Sequence, residues 1–451
     1  MEMKLNEIAQ ALGINKTYSD NPTITNVVFD SRKACAGSLF VPLVAERDGH
    51  DFVSAAFNQG AVATFWQKDH KLPDDYHNYL VIDDSLTALR KLSKYYLNKV
   101  APKVVAITGS NGKTTTKDMT AAVLAKKYKV YKTQANFNNE IGVPITILGM
   151  DNDTQILVVE MGMDHAGQLT KQSALTEPDV AIITMIGEAH IEFFGTRAKI
   201  ADAKMEITKS LKQNGIFIYD GDEPLLTERA KNIAQAKETF GLKPGNDIQA
   251  TDIAAGMYET EFKTSIWPSR TLSIPMMGDY NVNNALPAIL VGQKFEVQPC
   301  KIADALANFQ PTKNRTQWVK AKNGARLLSD VYNANPTAMI DVIENFSKIK
   351  TTGRRILVLG DMLELGKQES ELHASVAQAI HADKIDEVYL FGDLISSLRD
   401  ALQGKIKVNY FNSKQQSDMI EQLQTDIKPD DIVLLKASNG MHLDKVMDAL
   451  K

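Results

Sequence analysis

Cysteine is nearly absent from this chain of 451 residues: only Cys35 and Cys300 occur, far apart and without metal-ligand spacing. That excludes a disulfide framework and a cysteine zinc site, and it fits a reducing compartment, so a cytoplasmic protein is expected. An excess of positive charge is missing as well. The 51 Lys and Arg stand against 55 Asp and Glu, a formal net charge of -4, which leaves no global basic field; no nucleic-acid partner is expected. No apolar run approaches the roughly 20 residues of a membrane span, and the opening MEMKLNEIAQALGI mixes charge into its apolar residues unlike a secretory signal. A Ser-His-Asp or Cys-His pattern is also lacking, so a covalent protein nucleophile is not expected.

What is present begins with Val104 to Thr116, VVAITGSNGKTTT. An apolar run enters a Gly-bounded turn, Thr108-Gly109-Ser110-Asn111-Gly112-Lys113-Thr114, and then a segment of helical spacing through Met119, Ala122 and Val123. Glycines let backbone N–H groups close on phosphate oxygens, a lysine adds charge, and a threonine hydroxyl can hold Mg²⁺, so a nucleoside triphosphate is expected here. The full pattern G-x-x-x-x-G-K-[ST] wants glycine where Ile107 stands, which makes this a shortened loop. The competing reading is an ordinary strand-to-helix turn rich in Gly and Thr.

Two further apolar runs end in reactive side chains. Ile156 to Val159 leads into Glu160, and Val180 to Ile186 leads to Gly187-Glu188-Ala189-His190. Ligands gather beyond the carboxyl ends of parallel strands, so Glu160 and His190 are expected to converge with Lys113 and Thr114 on phosphate and metal. Each alone could be a buried acid or a turn residue. In RAKIADAKMEITKSL, Lys204 falls on the apolar stripe of Ile200, Ile207 and Leu211. It either snorkels to water or is held desolvated with a lowered pKa, when its neutral amine could add CO₂. Asn138 and Asn139 lie in QANFNNEIGVP, a loop-forming or ligand-binding segment; Asn281 and Asn284 open an apolar helical pattern, where they either cap it or grip a base edge. Near the start, Asp30-Ser31-Arg32 follows a strand-like run and reads as a solvated turn or an anion contact, while His50 of Asp48-Gly49-His50 reads as structural.

The chain is too long for one core, and about three domains are expected. The fold class is α/β: a small α/β N-terminal domain over 1–100, a central P-loop domain with a mostly parallel sheet over 101–310, and a Rossmann-like C-terminal domain over 311–451. In the last third, strand-like runs at Ile356 to Leu359, Val388 to Phe391, Val408 to Phe411 and Ile432 to Leu435 alternate with helical segments. No G-x-G-x-x-G follows any of them, so no dinucleotide is inferred. Arg315, DVYNANP (Asp330 to Pro336), GDMLELG (Gly360 to Gly366) and KASNGMH (Lys436 to His442) are candidates beyond strands.

TGSNGKTT, NFNNEIGVP, the strand-end Glu160, IGEAHIEFFG, AKMEI and GDYNVNNALPA, in this order, resemble the ATP-dependent Mur ligases of peptidoglycan synthesis, over essentially the whole chain. The shortened loop is that family's usual form. The resemblance implies ATP as substrate, with Lys113 and the loop from Thr108 to Thr114 on its phosphates and Asn281 and Asn284 on adenine. It implies two Mg²⁺ sites, Thr114 and Glu160 at one, His190 and a carbamylated Lys204 at the other. Arg315 would reach the γ-phosphate. Asp330, Asn333 and Asn335 would face nucleotide or dipeptide, Asn138 and Asn139 substrate, and Ser31 and Arg32 the UDP-sugar. Within the family, FDSR…GSLFVPL…DGHDF, DVYNANP and GDMLELG imply UDP-N-acetylmuramoyl-tripeptide and D-alanyl-D-alanine as the other substrates, handled by a monomer. The rival class is a P-loop switch that hydrolyses nucleotide without an acceptor amine.

Overall fold

The computed structural model describes residues 1–75, 77–312 and 315–451. Three sheets dominated by parallel pairing follow one another along the chain, and the architecture is α/β throughout. The first sheet runs in the order Asn26–Val28, Ser38–Phe40, Ala61–Gln67, Tyr79–Ile82, all parallel. The helix Ser85–Val100 follows, started by the Asp84 carboxylate, which accepts from Thr87 N at 2.7 Å and so satisfies a free N–H of the first turn. This helix is a seam. Leu89, Leu92 and Tyr96 share one continuous apolar core with Val143 and Ile147 of the helix Gly142–Leu148 and Leu157 of the following sheet, and Tyr96 Oη donates to Met150 O at 2.7 Å.

The second sheet carries nine strands. Seven are mutually parallel in the order Ile248–Ala255, Ala236–Gly241, Ile216–Asp220, Val180–Ile183, Lys103–Thr108, Ile156–Glu160, Val130–Lys132; Thr260–Thr264 and Trp267–Ile274 extend it antiparallel. Buried on both faces, the central strands are continuous apolar runs, as such strands must be. The helices Lys113–Leu124 and Asp279–Lys294 pack together against one face, with Met119, Val123, Val282, Leu286 and Ile289 buried between them and the sheet. That packing brings Asn284 over the phosphate loop.

The third sheet has the order Gln317–Lys320, Arg326–Asp330, Ile432–Lys436, Arg355–Gly360, Glu387–Phe391, Lys407–Phe411, parallel except for the first pair. Asp330 is the last residue of its strand and lies in register with Lys436.

Two expectations change in detail. The run from Val180 stops as a strand at Ile183, because the Thr184 hydroxyl donates to Asn111 O and Thr108 O and turns the chain over the loop. The helix carrying Lys204 is Arg197–Met205, shorter than its apolar stripe. The Glu206 carboxylate is drawn to Gly167 N (2.7 Å) and Thr170 N (3.1 Å) at the start of the helix Gln168–Thr176, and the chain tightens into a 3₁₀ turn over Glu206–Thr208. Ile200, Lys204, Ile207 and Leu211 all remain buried. Among the described residues no helix is long and apolar enough to cross a membrane.

Candidate active site

The strand Lys103–Thr108 delivers the loop 109–112 to the N-terminus of the helix Lys113–Leu124, so the dipole and the free N–H groups of that helix face whatever the loop holds. Gly112 is required: its φ is +80°, and a Cβ there would collide with Asn284 Oδ1. Lys113 Nζ donates to Gly109 O at 2.8 Å and Ser110 O at 3.3 Å. Burial lowers its pKa to about 8; Glu160 opposes that shift and Arg315 adds to it. Lys204 is only 2% exposed, so it does not snorkel. Burial, reinforced by the like charge of Lys113, holds its pKa well below the ordinary lysine value.

Glu160 ends the strand Ile156–Glu160 beside this pair. Its Oε1 accepts from Asn138 Nδ2 at 2.8 Å, while Oε2 is buried with no hydrogen-bond partner and has Lys117 Nζ at 3.8 Å. An orphaned buried carboxylate oxygen is costly unless a cation completes it. Glu160 with the nearby Thr114 hydroxyl therefore fits a hard divalent cation, and the two lysines, short of negative charge, fit phosphate and carbamate.

A cavity of about 750 Å³ joins these groups to residues of the third sheet. Ser110 to Thr114, Asn138, Asn139, Glu160, His190, Lys204, Asn281, Asn284, Arg315, Asp330 and Asn333 all line it. Thr108 is buried beneath the loop, and Gly109 shapes its entry with φ +153°. Asn335 approaches through Asn111, the two amides exchanging hydrogen bonds of 2.8 and 3.2 Å. Ser31 and Arg32 lie outside the cavity lining, in a short turn after the first strand of the N-terminal sheet. Arg32 there is exposed and turned onto Asp30 at 2.9 Å. Asn281 and Asn284 do not cap their helix, which starts after Gly278. Instead Asn281 Nδ2 donates to Met277 O at 2.8 Å, and Asn284 Nδ2 reaches Asn281 Oδ1 at 3.3 Å. The Arg315 guanidinium stacks 4.0 Å over the Tyr332 ring with Nε unpartnered.

Several site residues were not singled out by sequence. Lys117, one turn beyond Lys113, is buried and donates to Thr133 O at 3.0 Å; the spacing i, i+4 was the available signal. Asp220 lines the cavity, and burial raises its pKa to about 7 although Asp222 N and Asn283 Nδ2 both donate to it. The role of Lys436 becomes visible: its Nζ binds Asp330 Oδ2 at 2.5 Å and Asn333 O at 3.0 Å. Loops of the central sheet also grip the third sheet's elements. Glu188 Oε2 accepts from Thr337 Oγ1 (2.7 Å) and N (3.2 Å) at the start of the helix Pro336–Ser347, and His190 Nδ1 lies 2.5 Å from Glu364 Oε2. His190 holds the Glu364 carboxyl below the ordinary glutamate range.

Asp48, His50 and His70 lie close enough together to suggest a second metal centre. Their ring nitrogens are already committed. His50 Nδ1 meets Asp48 at 2.7 Å and Nε2 accepts from Gln67 N at 3.2 Å, while His70 lies between Asp48 and Asp69 at 2.7 Å each. This is a structural cluster, and His50 is structural within it.

A phosphate loop on a parallel sheet, faced across one cavity by a second parallel sheet, defines an enzyme that uses a nucleoside triphosphate on a further substrate. Residues 107–292 match the Mur ligase middle domain, and residues 314–439 match the glutamate ligase domain of the Mur ligases. The chain is 40% identical to the UDP-N-acetylmuramoyl-tripeptide–D-alanyl-D-alanine ligase of Bacillus subtilis, over 98% of this chain and 96% of that one. With the ligase of the same description from Escherichia coli it shares 34% over 82% of each. Among solved structures it superposes on MurF from Acinetobacter baumannii with a TM-score of 0.88 at 27% identity, covering 100% and 99% of the two chains. With MurF ligase from Thermotoga maritima in complex with ADP the TM-score is 0.82 at 29% identity, covering 94% and 96%. The chain belongs to the Mur ligase family.

Proposed function

We propose that this protein joins D-alanyl-D-alanine to UDP-N-acetylmuramoyl-tripeptide at the expense of ATP, giving ADP and phosphate in peptidoglycan precursor synthesis. The observation that carries the reading is the charge of the cavity: the buried Lys204 and the part-buried Lys113 repel one another beside a buried Glu160 oxygen that has no hydrogen-bond partner. A polyanion and a cation complete that arrangement.

A carboxylate is a poor acyl donor at neutral pH, so the tripeptide carboxylate first attacks the γ-phosphorus of ATP and becomes an acyl phosphate. Lys113 and the loop amides stabilise charge on the transferring oxygens, and Arg315 supplies a further cation from the other side of the cavity. The amine of D-alanyl-D-alanine then attacks the acyl carbon, and phosphate leaves from a tetrahedral intermediate. Thr114 and Glu160 would hold one magnesium ion, and His190 with a carbamylated Lys204 would hold a second; bound there, the metal would supply neutralisation of phosphate charge. The carbamate forms when the neutral Lys204 amine adds CO₂ and releases a proton, which replaces an unpaired amine beside Lys113 with an anion.

Asn281 and Asn284 hold adenine. Asp330, Asn333 and Asn335 face nucleotide or dipeptide, Asn138 and Asn139 face substrate, and Ser31 and Arg32 hold the UDP-sugar end. The domains divide near residues 100 and 310, so that closure aligns amine with acyl phosphate and excludes water. We place the enzyme in the cytoplasm as a monomer, where its two exposed cysteines stay reduced.

The test is phosphate release with UDP-N-acetylmuramoyl-tripeptide, ATP, Mg²⁺ and a panel of amino acids and dipeptides. Release is expected only when tripeptide and D-alanyl-D-alanine are both present. Strict dependence on another amine would overturn the specificity, and release with no amine at all would overturn the ligase reading.

A further inference from the structure

Two residues with left-handed backbone meet where the central loops dock on the third sheet. His190 has φ +63° and precedes the short helical turn Ile191–Phe194. Glu364 also has φ +63°, in the GDMLELG loop that follows the strand Arg355–Gly360. Holding a side chain larger than asparagine in this region costs on the order of 1 kcal/mol, so surrounding contacts must over-determine both positions. They do so against each other. Glu192 N donates to Glu364 O at 3.0 Å, and a Cβ on Gly366 would lie 3.1 Å from Glu192 Cα. His190 Nδ1 lies 2.5 Å from Glu364 Oε2, in a ring that also lines the cavity. The carboxylate thus lies at ion-pair distance from a buried Nδ1 that has no other polar partner, and Nε2 is left for a ligand.

We propose that Glu364 is a positioning residue for His190, supplied by the C-terminal region, and that the second metal position is complete only when that region is docked. The inference rests on the reading above in which His190 holds a magnesium ion. A metal-ligating imidazole turns its other nitrogen onto an acceptor, which fixes tautomer and ring orientation. Here the acceptor belongs to a different sheet from the ligand. Metal affinity and docking are therefore linked, each strengthening the other by the same factor.

The experiment uses the whole enzyme with bicarbonate, a non-hydrolysable ATP analogue and Mn²⁺ in place of Mg²⁺, and reads the affinity of each bound ion by electron paramagnetic resonance. Glu364→Gln should weaken the second Mn²⁺ roughly 10- to 100-fold and leave the first unchanged. His190→Ala should lose the second ion altogether. Wild-type affinity in Glu364→Gln alongside loss in His190→Ala would overturn the role of Glu364; two ions bound normally by His190→Ala would instead overturn the metal reading of His190. If Glu364→Gln does not fold, ¹⁵N shifts of the His190 ring in the wild-type protein decide the matter. A proton on Nδ1 is expected, and a proton on Nε2 would overturn the proposal.

Discussion

Lys204 and Lys436 are equally buried on opposite walls of one cavity, yet their surroundings are opposites. Lys436 is neutralised by Asp330 at 2.5 Å and also donates to a backbone carbonyl. Lys204 meets burial and the like charge of Lys113. Lys436 has its charge satisfied within the C-terminal wall, while Lys204 of the phosphate-loop wall has no such counter-ion. An unpaired buried charge costs several kcal/mol, so Lys204 is where an anion belongs, while Lys436 is already neutralised and holds Asp330 and the Asn333 backbone in place.

The largest expected effect falls on the phosphate-loop wall. Lys113→Ala should lower kcat/KM for ATP-dependent ligation on the order of 10³-fold and leave the Kd for the UDP-substrate unchanged. Undiminished ligation would mean that the loop does not hold phosphate.

The contrast itself is tested by matched substitutions read as thermal or denaturant stability of the ligand-free protein. Lys436→Met strands Asp330 and should destabilise by about 3 to 5 kcal/mol. Lys204→Met removes an unpaired buried amine and should be neutral or stabilising, although activity is lost. Equal destabilisation by both would erase the difference between the walls. The companion variant Lys204→Ala should regain part of its activity when short carboxylic acids stand in for the carbamate.

Asp220 sharpens the same contrast with the opposite charge, since it is buried beside Asp222 and Glu223 with no cation. Its folded pKa of about 7 lies above the unfolded value of 3.8, so the folded state binds the extra proton. Stability therefore falls as pH rises from the lower value to the higher, by at most about 4 kcal/mol. Asp220→Asn should stabilise at pH 8 and change little at pH 4. A gain independent of pH would show that Asp220 ionises freely.

The smallest effect lies outside the cavity. Asp48 and Asp69 raise the pKa of His70, so its contribution to stability is full below the ordinary histidine value and is lost as pH rises through the higher folded one. His70→Gln should remove that pH dependence from the melting temperature; an unchanged profile would show that the pair contributes nothing.

The phosphate loop, the strand-end carboxylate and the parallel sheets were legible because each is written locally: glycine in a left-handed turn, apolar runs, a lysine on an apolar stripe. Lys204 shows the limit of such reading. Its place on the stripe left snorkelling and burial both open, and only tertiary packing decided for burial. The partners of His190, Asn111 and Glu188 were invisible because Glu364, Asn335 and Thr337 come from a distant part of the chain, and no periodicity links the two sides. Asp330 was placed beyond a strand that it in fact ends, since the strand Arg326–Asp330 has only two apolar residues, Leu327 and Leu328, to mark it. Ser31 and Arg32 carried a family resemblance but lie apart from the cavity, one surface-paired within its own turn.

The claim that the phosphate-loop wall holds Lys204 open for an anion is tested most directly at that residue. Protein equilibrated with ¹³C-bicarbonate and observed by ¹³C NMR should show one carbamate resonance that is missing from Lys204→Met and strengthened by Mg²⁺ and a non-hydrolysable ATP analogue. A wild-type spectrum without that resonance, in an enzyme that still ligates, would contradict it.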